Sequence, residues 1–256
     1  AYFENGKKKS SDLIIIANGI KSDLRSYVDK SAHPQYAEYV GWRGVINEEE
    51  ISSKSLETLS NYFIIVLPHN QQIACYPIAG EGENPFEIGK RRINWIWYKP
   101  IPTKLLKELL LGKSGQQYED GIPPKEIRQK VICDLFKEAE NNLPPQLVEL
   151  VKATQQPLIQ PIFDLESIKM HNGRVVTIGD AAFTARPHVG MGVTKAAMDA
   201  FKLSEYLGDN FNLDKLSKWE HSRLKESQFI VNRSRKLGNY LSLPKENENL
   251  IMPNIQ

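Results

Sequence analysis

Residues 174–207 run RVVTIGDAAFTARPHVGMGVTKAAMDAFKLSEYL. Arg174 to Ile178 is a short apolar, β-branched run, the pattern of a buried strand. It stops at Gly179-Asp180-Ala181-Ala182, where small side chains let the backbone pass close to a ligand. Asp180 then stands at a strand end, where ligands of open α/β sheets bind. A loop with Pro187 leads to Gly190-Met191-Gly192, and a helix is expected from about Gly192 to Leu207. Gly190 and Gly192 free backbone N–H groups at that helix N-terminus, which favours partial negative charge; a pyrophosphate or an anionic ring oxygen fits. Gly-x-Gly alone marks only a helix-start turn. The ordered combination is far more specific.

On the N-terminal side, Tyr2-Phe3, Asn5-Gly6 and Asp12 to Ala17 predict strand, turn, strand, because Asn-Gly tolerates the positive φ of a tight turn. Leu13-Ile14-Ile15-Ile16 is continuous and β-branched, as for a strand covered on both faces. Ser22 is expected to cap a helical stretch through Val28. From Tyr36 to Tyr98 short Val-, Ile-, Tyr- and Trp-rich segments (39–46, 62–68, 72–77, 94–98) alternate with turn residues, which predicts an antiparallel sheet. Between Thr103 and Val151 the apolar period becomes helical, broken at Pro123-Pro124 and Pro144-Pro145. Pro157 to Phe163 predicts a strand, Leu213 to Tyr240 a long amphipathic helix, and the residues after Pro244 a loose polar tail. The domain organisation expected is a partial cofactor domain (1–32), a sheet-and-helix substrate domain (33–165), the rest of the cofactor domain (166–243) and a tail (244–256).

The 33 basic and 31 acidic residues give a net charge of +2 over 256 residues, no footprint for nucleic acid or an anionic membrane. Cys75 and Cys133 lack disulfide or metal spacing and are expected as reduced, buried thiols of a cytoplasmic protein. His33, His69, His171 and His221 share no ligand spacing, so no metal site is expected. The longest apolar run, Phe63 to Leu67, is strand-sized.

Ile178-Gly179-Asp180-Ala181-Ala182-Phe183, Pro187, Gly190-Met191-Gly192 and Lys195-Ala196-Ala197-Met198-Asp199-Ala200 resemble the second flavin-binding motif of class A flavoprotein monooxygenases, which have the para-hydroxybenzoate hydroxylase fold. The resemblance implies that Asp180 bonds ribityl or ribose hydroxyls, and that Pro187 with the backbone of Gly190, Met191, Gly192 and Val193 lies beside the isoalloxazine. Asp12 to Arg25 resembles the family motif of Asp-Gly, then Ser and Arg, associated with FAD and the nicotinamide. This implies cofactor roles for Asn18, Gly19 and Arg25. Asn18 stands where the family usually has Asp, and Thr194 where Asn is common. Tyr39 to Gly44, Arg92 to Tyr98 and Arg186-Pro187-His188 resemble the hydroxypyridine-hydroxylating members. The fold implied is α/β: the C-terminal part of a three-layer FAD/NAD(P)-binding domain with an antiparallel-sheet substrate domain.

His188 reads either as a group near the ring that bonds substrate or stabilises reduced flavin, or as a loop histidine in water. Arg43 and Tyr76, on expected strands, read as pocket groups for an anionic hydroxy-heterocycle or as surface and core. Trp95, Trp97 and Tyr98 read as core more readily than as a cage. The activity implied by the resemblance is hydroxylation of an aromatic or N-heteroaromatic ring. FAD is reduced by NADPH or NADH, captures O2 as the C4a-hydroperoxide, and does the hard chemistry. A homodimer is left open. The family's opening strand, GxGxxG and helix have no counterpart here, and Gly80-Glu81-Gly82 reads as a hairpin loop. The chain is therefore expected to be a piece of a longer protein. Two alternatives stand beside this reading: another flavin reaction, such as epoxidation or halogenation, and a non-catalytic remnant without stable FAD.

Overall fold

The computed structural model describes residues 2–208 and 212–241. The expected tail at 244–256 lies outside the described residues. In chain order the strands are β1 (Ile14–Ile16), β2 (Gln35–Asn47), β3 (Ile64–Val66), β4 (Gln72–Ile78), β5 (Arg92–Pro100), β6 (Leu158–Asp164), β7 (His171–Asn172) and β8 (Val175–Thr177). The helices are α1 (Ser53–Leu59), α2 (Thr103–Leu109), α3 (Gln129–Asn142), α4 (Pro145–Ala153), α5 (Gly192–Leu207) and α6 (Leu213–Gly238). The chain divides into two compact units: Ala1–Tyr36 with Phe163–Asn239, and Ala37–Ile162 rejoined at Tyr240.

In the first unit β1 and β8 pair in parallel, Ile16 opposite Thr177, and β7 adds antiparallel to β8. Both β1 and β8 therefore end at the same edge, and Ile178 N–H extends the ladder to the Ile16 carbonyl at 3.0 Å. Beneath them Val176, Phe183, Leu203, Leu216, Trp219 and Val231 form a core supplied by β8, α5 and α6. The helix expected at 192–207 is α5, and the long amphipathic stretch is α6.

Three local expectations are corrected. The Asn5-Gly6 turn returns the chain only to a bridge between Tyr2 and Lys8, so it does not pair the N-terminus with β1. β1 is an edge strand, and Ile14 and Ile15 are 37% and 50% exposed, not covered on both faces. Ser22 precedes the turn of 3-10 helix at Asp23–Tyr27 but makes no capping bond; its hydroxyl is buried without a partner among the described residues.

The second unit is a five-stranded sheet in the order β3-β4-β5-β2-β6. Strand alternation sends Val40, Trp42, Cys75, Trp95 and Trp97 into one core with Leu135, Leu147, Leu150 and Val151 of α3 and α4. Both tryptophans of β5 are core, and their N–H groups are satisfied by Thr154 and Gln71, each at 2.9 Å. Cys75 is buried as expected, but Cys133 is exposed. The core stripe of α3 runs through Val131, Leu135 and Ala139, and position 133 falls outside it. The opposite face of the sheet carries Tyr39, Arg43, Tyr76, Asn94, Tyr98 and Gln160, aromatic and polar together.

Candidate functional site

Parallel pairing brings together two segments some 160 residues apart. β1 runs out into Ala17, Asn18 and Gly19, while β8 beside it runs out into Gly179 and Asp180. Gly179 adopts φ +60°, a conformation L side chains rarely reach, and a Cβ there would sit 3.3 Å from the Ala196 Cβ. Its peptide is held at both ends from α5: the N–H donates to Asp199 Oδ2 at 2.9 Å, and Lys195 Nζ donates to the carbonyl at 3.0 Å. Arg223 of α6 holds the other Asp199 oxygen at 2.8 Å, and Trp219 donates to the Asp199 carbonyl. Lys195, Asp199 and Arg223 are all buried, so the turn rests on a closed ionic cluster.

With Gly179 fixed in this way, the Asp180 side chain is directed outward and is exposed. Its carboxyl lies above the usual carboxylate range because the turn strips part of its water; Lys195 opposes this rise and Asp199 adds to it. Arg25 does not reach outward. It is buried, with Nε donating to the Ala181 carbonyl at 2.7 Å and an Nη to the Ile20 carbonyl, and so ties the first segment to the second. Asn18 is exposed just past β1, and Gly19 supplies a φ of +82° in the turn that follows.

The loop 186–190 is pinned to α6. Arg186 N–H donates to Ser234 Oγ at 3.0 Å, and Asp164 accepts from both Arg186 and Arg235 at 2.7 Å. Pro187–Val189 forms one 3-10 turn that closes on Gly190 at φ +64°. His188 is half-buried, not a loop histidine in water. Burial, with Arg186 adding to the effect, lowers its pKa to about 4, so it is a neutral hydrogen-bonding group at pH 7.

α5 then starts at Gly192 with no side-chain cap, and its first turn presents free N–H groups. Met191, Gly192, Val193 and Thr194 are exposed, Val193 at 86%; a Cβ at Gly190 or Gly192 would meet nothing within 4 Å. An uncapped helix end, bare backbone, exposed apolar side chains and an outward carboxylate fit the flavin half of a dinucleotide. No three His, Cys, Asp or Glu among the described residues could hold a metal ion.

In the second unit Arg43 is part-buried and donates to Gln160 Oε1 at 2.9 Å. Tyr76 stacks on Phe63, with ring centroids 4.9 Å apart. Burial raises the Tyr98 pKa, and nearby Arg43 opposes that rise, while Tyr76 and Tyr240 add to it. Asn94, directly opposite Tyr76, is 8% exposed, and its amide nitrogen has no hydrogen-bond partner among the described residues. The roles of Asn94 and of the Lys195–Asp199–Arg223 cluster were not read from the sequence. The available signals were a charge pair at i, i+4 inside an apolar helix face and an arginine within the apolar stripe of α6.

The FAD binding domain-like family matches residues 36–164. The chain is 28% identical over 243 residues to the 2,6-dihydroxypyridine 3-monooxygenase of Paenarthrobacter nicotinovorans, covering 93% of this chain and 59% of that one. The solved 2,6-dihydroxypyridine-3-hydroxylase of Arthrobacter nicotinovorans superposes with a TM-score of 0.85 at 27% identity, over 97% of this chain and 63% of that one. Klebsiella pneumoniae HpxO complexed with FAD and uric acid shares the fold, with a TM-score of 0.70 at 23% identity over 93% and 54%. The chain thus spans less than two thirds of these relatives. It belongs to the FAD binding domain-like family, among the class A flavoprotein monooxygenases.

Proposed function

We propose that this chain forms part of an FAD-dependent monooxygenase that hydroxylates a small, electron-rich aromatic or N-heteroaromatic ring with NADPH or NADH as reductant. The observation that carries the reading is the β1/β8 edge, where the Gly179 peptide is locked by Lys195 and Asp199 and an uncapped α5 opens onto exposed Gly192 and Val193. Bound FAD would supply the oxygen-activating chemistry. Asp180 would accept hydrogen bonds from hydroxyls of the cofactor's sugar-like chain. The N–H groups at Gly192–Thr194 would face partial negative charge on its ring system, with Pro187 and Gly190 shaping the backbone there. Asn18 and Gly19 line the neighbouring strand end, whereas Arg25 positions that loop from within. His188, neutral at pH 7, would donate or accept one hydrogen bond without adding charge.

In the sheet unit, the face bearing Arg43, Tyr76, Asn94 and Tyr98 would recognise the ring. Arg43 suits an anionic ring oxygen, and Tyr98, its pKa raised by burial, would offer a protonated phenol as donor. The 2,6-dihydroxypyridine relatives favour a hydroxypyridine over a plain phenol. The test is O2 uptake by the flavin-loaded, full-length protein with NADPH or NADH and a panel of hydroxypyridines and phenols. Stimulated uptake with a hydroxylated product supports the proposal. No uptake from a properly loaded protein removes it.

A further inference from the structure

We propose that Asp164, backed by Arg235 and Ser234, is a positioning residue that aims the turn at 187–190 towards the cofactor ring before the cofactor arrives. The inference rests on the reading that FAD lies against this turn, and it adds the residues that hold the turn ready. All of them belong to the first unit.

Arg186 is the pivot. A proline ring disfavours helical ψ at the residue before it, and Arg186 accordingly sits at φ −60° and ψ 149°. With ψ confined, the direction in which the 3-10 turn Pro187–Val189 leaves the chain depends on how Arg186 itself is held. Its N–H donates to Ser234 Oγ at 3.0 Å, and its Nε donates to Asp164 Oδ2 at 2.7 Å. Ser234 is fully buried, and its hydroxyl donates to the Val231 carbonyl at 2.7 Å, so its oxygen is left to accept.

Asp164 is 2% exposed and divides its oxygens between two guanidiniums. Oδ2 takes Arg186, while Oδ1 takes Arg235 through Nη2 at 2.7 Å and Nε at 3.2 Å. Arg235 gives its third nitrogen to Glu166 at 2.7 Å, so two cations meet two carboxylates. A buried carboxylate with a cation on each oxygen has one orientation, which a lone surface pair lacks. The joint between the end of β6 and this segment does not depend on it. Leu165 and Thr184 already exchange two backbone hydrogen bonds, each of 3.0 Å. What the carboxylate adds lies at residue 186, directly before the turn. Backbone held in its bound conformation in advance lowers the ordering cost of binding, and this is the advantage the arrangement gives.

The test compares Asp164→Asn with Glu220→Gln in the full-length protein. Glu220 is also on α6, but it accepts from the Met170 and His171 N–H groups, at 2.6 and 3.0 Å, rather than from the turn. In the flavin-free protein, hydrogen exchange is followed at the amides of Gly179, Arg186 and Gly190. Asp164→Asn should speed Arg186 and Gly190 at least about tenfold and leave Gly179 unchanged, whereas Glu220→Gln should not single out those two. With FAD, Asp164→Asn should weaken the Kd at least about tenfold and alter the visible circular dichroism of the bound flavin; Glu220→Gln should do neither. Should Asp164→Asn fail to fold, Ser234→Ala decides, read at Gly190 and on the flavin band. Arg186 and Gly190 amides that speed up no more than Gly179 overturn the proposal and leave the flavin reading standing. Faster exchange with an unchanged Kd and flavin band also overturns it, because the contacts then serve stability alone. A wild-type protein that takes up no FAD removes the flavin reading, and the positioning role with it, even where the exchange rates move as expected.

Discussion

Asp199 accepts from the Gly179 N–H with one oxygen and from Arg223 with the other, while Lys195 bridges the same carboxylate and the Gly179 carbonyl. Removing that one carboxylate leaves two buried cations facing each other and a glycine peptide without its acceptor. Asp199→Ala is therefore expected to cost about 3–5 kcal/mol in chemical denaturation, the range for a broken buried pair. Asp199→Asn, which keeps an acceptor, should lose less. A loss under about 1 kcal/mol for Asp199→Ala would mean that the turn is held by packing alone. His188 gives a pH signature of opposite origin. Its ordinary value is 6.5 and its folded value about 4, so between them the unfolded state binds more protons. Stability contributed by the neutral, buried ring is present above pH 6.5 and is lost as pH falls towards 4. His188→Gln should flatten that part of a stability-against-pH curve by at most about 2 kcal/mol, allowing for the ring's partial exposure. An unchanged slope would place the ring in water.

At the scale of elements, β2 and β5 are locked by a size match. Gly44 lies opposite Trp95, and a Cβ there would fall 2.5 Å from the indole nitrogen and 2.6 Å from Thr154 Cγ2. The indole cannot retreat without giving up its bond to Thr154, which anchors α4 to the sheet. Gly44→Ala should therefore destabilise the sheet unit by about 1–3 kcal/mol, seen as a lower denaturation midpoint, and Thr154→Ala in the same background should not restore it. The elements themselves were legible where periodicity was long: α5, α6 and the β4–β5 hairpin follow from 3.6- and 2-residue repeats. What failed was local and short. The run Leu13 to Ile16 reads as doubly covered because an apolar strand does not state whether a neighbour exists on its outer side. Ser22 has the right residue type for a cap, but its hydroxyl is turned inward. Cys133 was assigned by residue type when its position on α3 was the better guide. The site divides in the same way. Glycines with forced φ and the Asp180 carboxylate show in sequence, because backbone conformation restricts residue type. The Lys195–Asp199–Arg223 cluster shows in sequence only as an i, i+4 charge pair and an arginine in an apolar stripe; that the three meet, like the open amide of Asn94, depends on contacts that no local pattern encodes.

For the whole molecule, the question is how much of a dinucleotide these 256 residues can hold. The first unit offers an outward Asp180, an uncapped helix end and exposed apolar residues, which suit a ring and its adjoining chain. Binding the adenosine diphosphate half calls for a strand, a glycine-rich phosphate loop and a helix N-terminus in immediate succession. The only Gly-x-Gly besides that at 190–192 is Gly80-Glu81-Gly82, and it lies in the connection between β4 and β5, where Gly80 abuts the Lys90 carbonyl. A ligand holding on through half its length loses the larger share of its charge-assisted hydrogen bonds, since the phosphates make them. The polypeptide of residues 1–256 mixed with FAD is therefore expected to leave gel filtration colourless, consistent with a Kd of roughly 10 µM or weaker. Asp180→Ala should then change nothing in that experiment, because there is no retained flavin to lose. A yellow eluate with FAD and protein in equal amounts would show that the edge of β1 and β8 with the end of α5 suffices by itself. In that event Asp180→Ala becomes the measurement that locates the cofactor, by bleaching the eluate if Asp180 holds it.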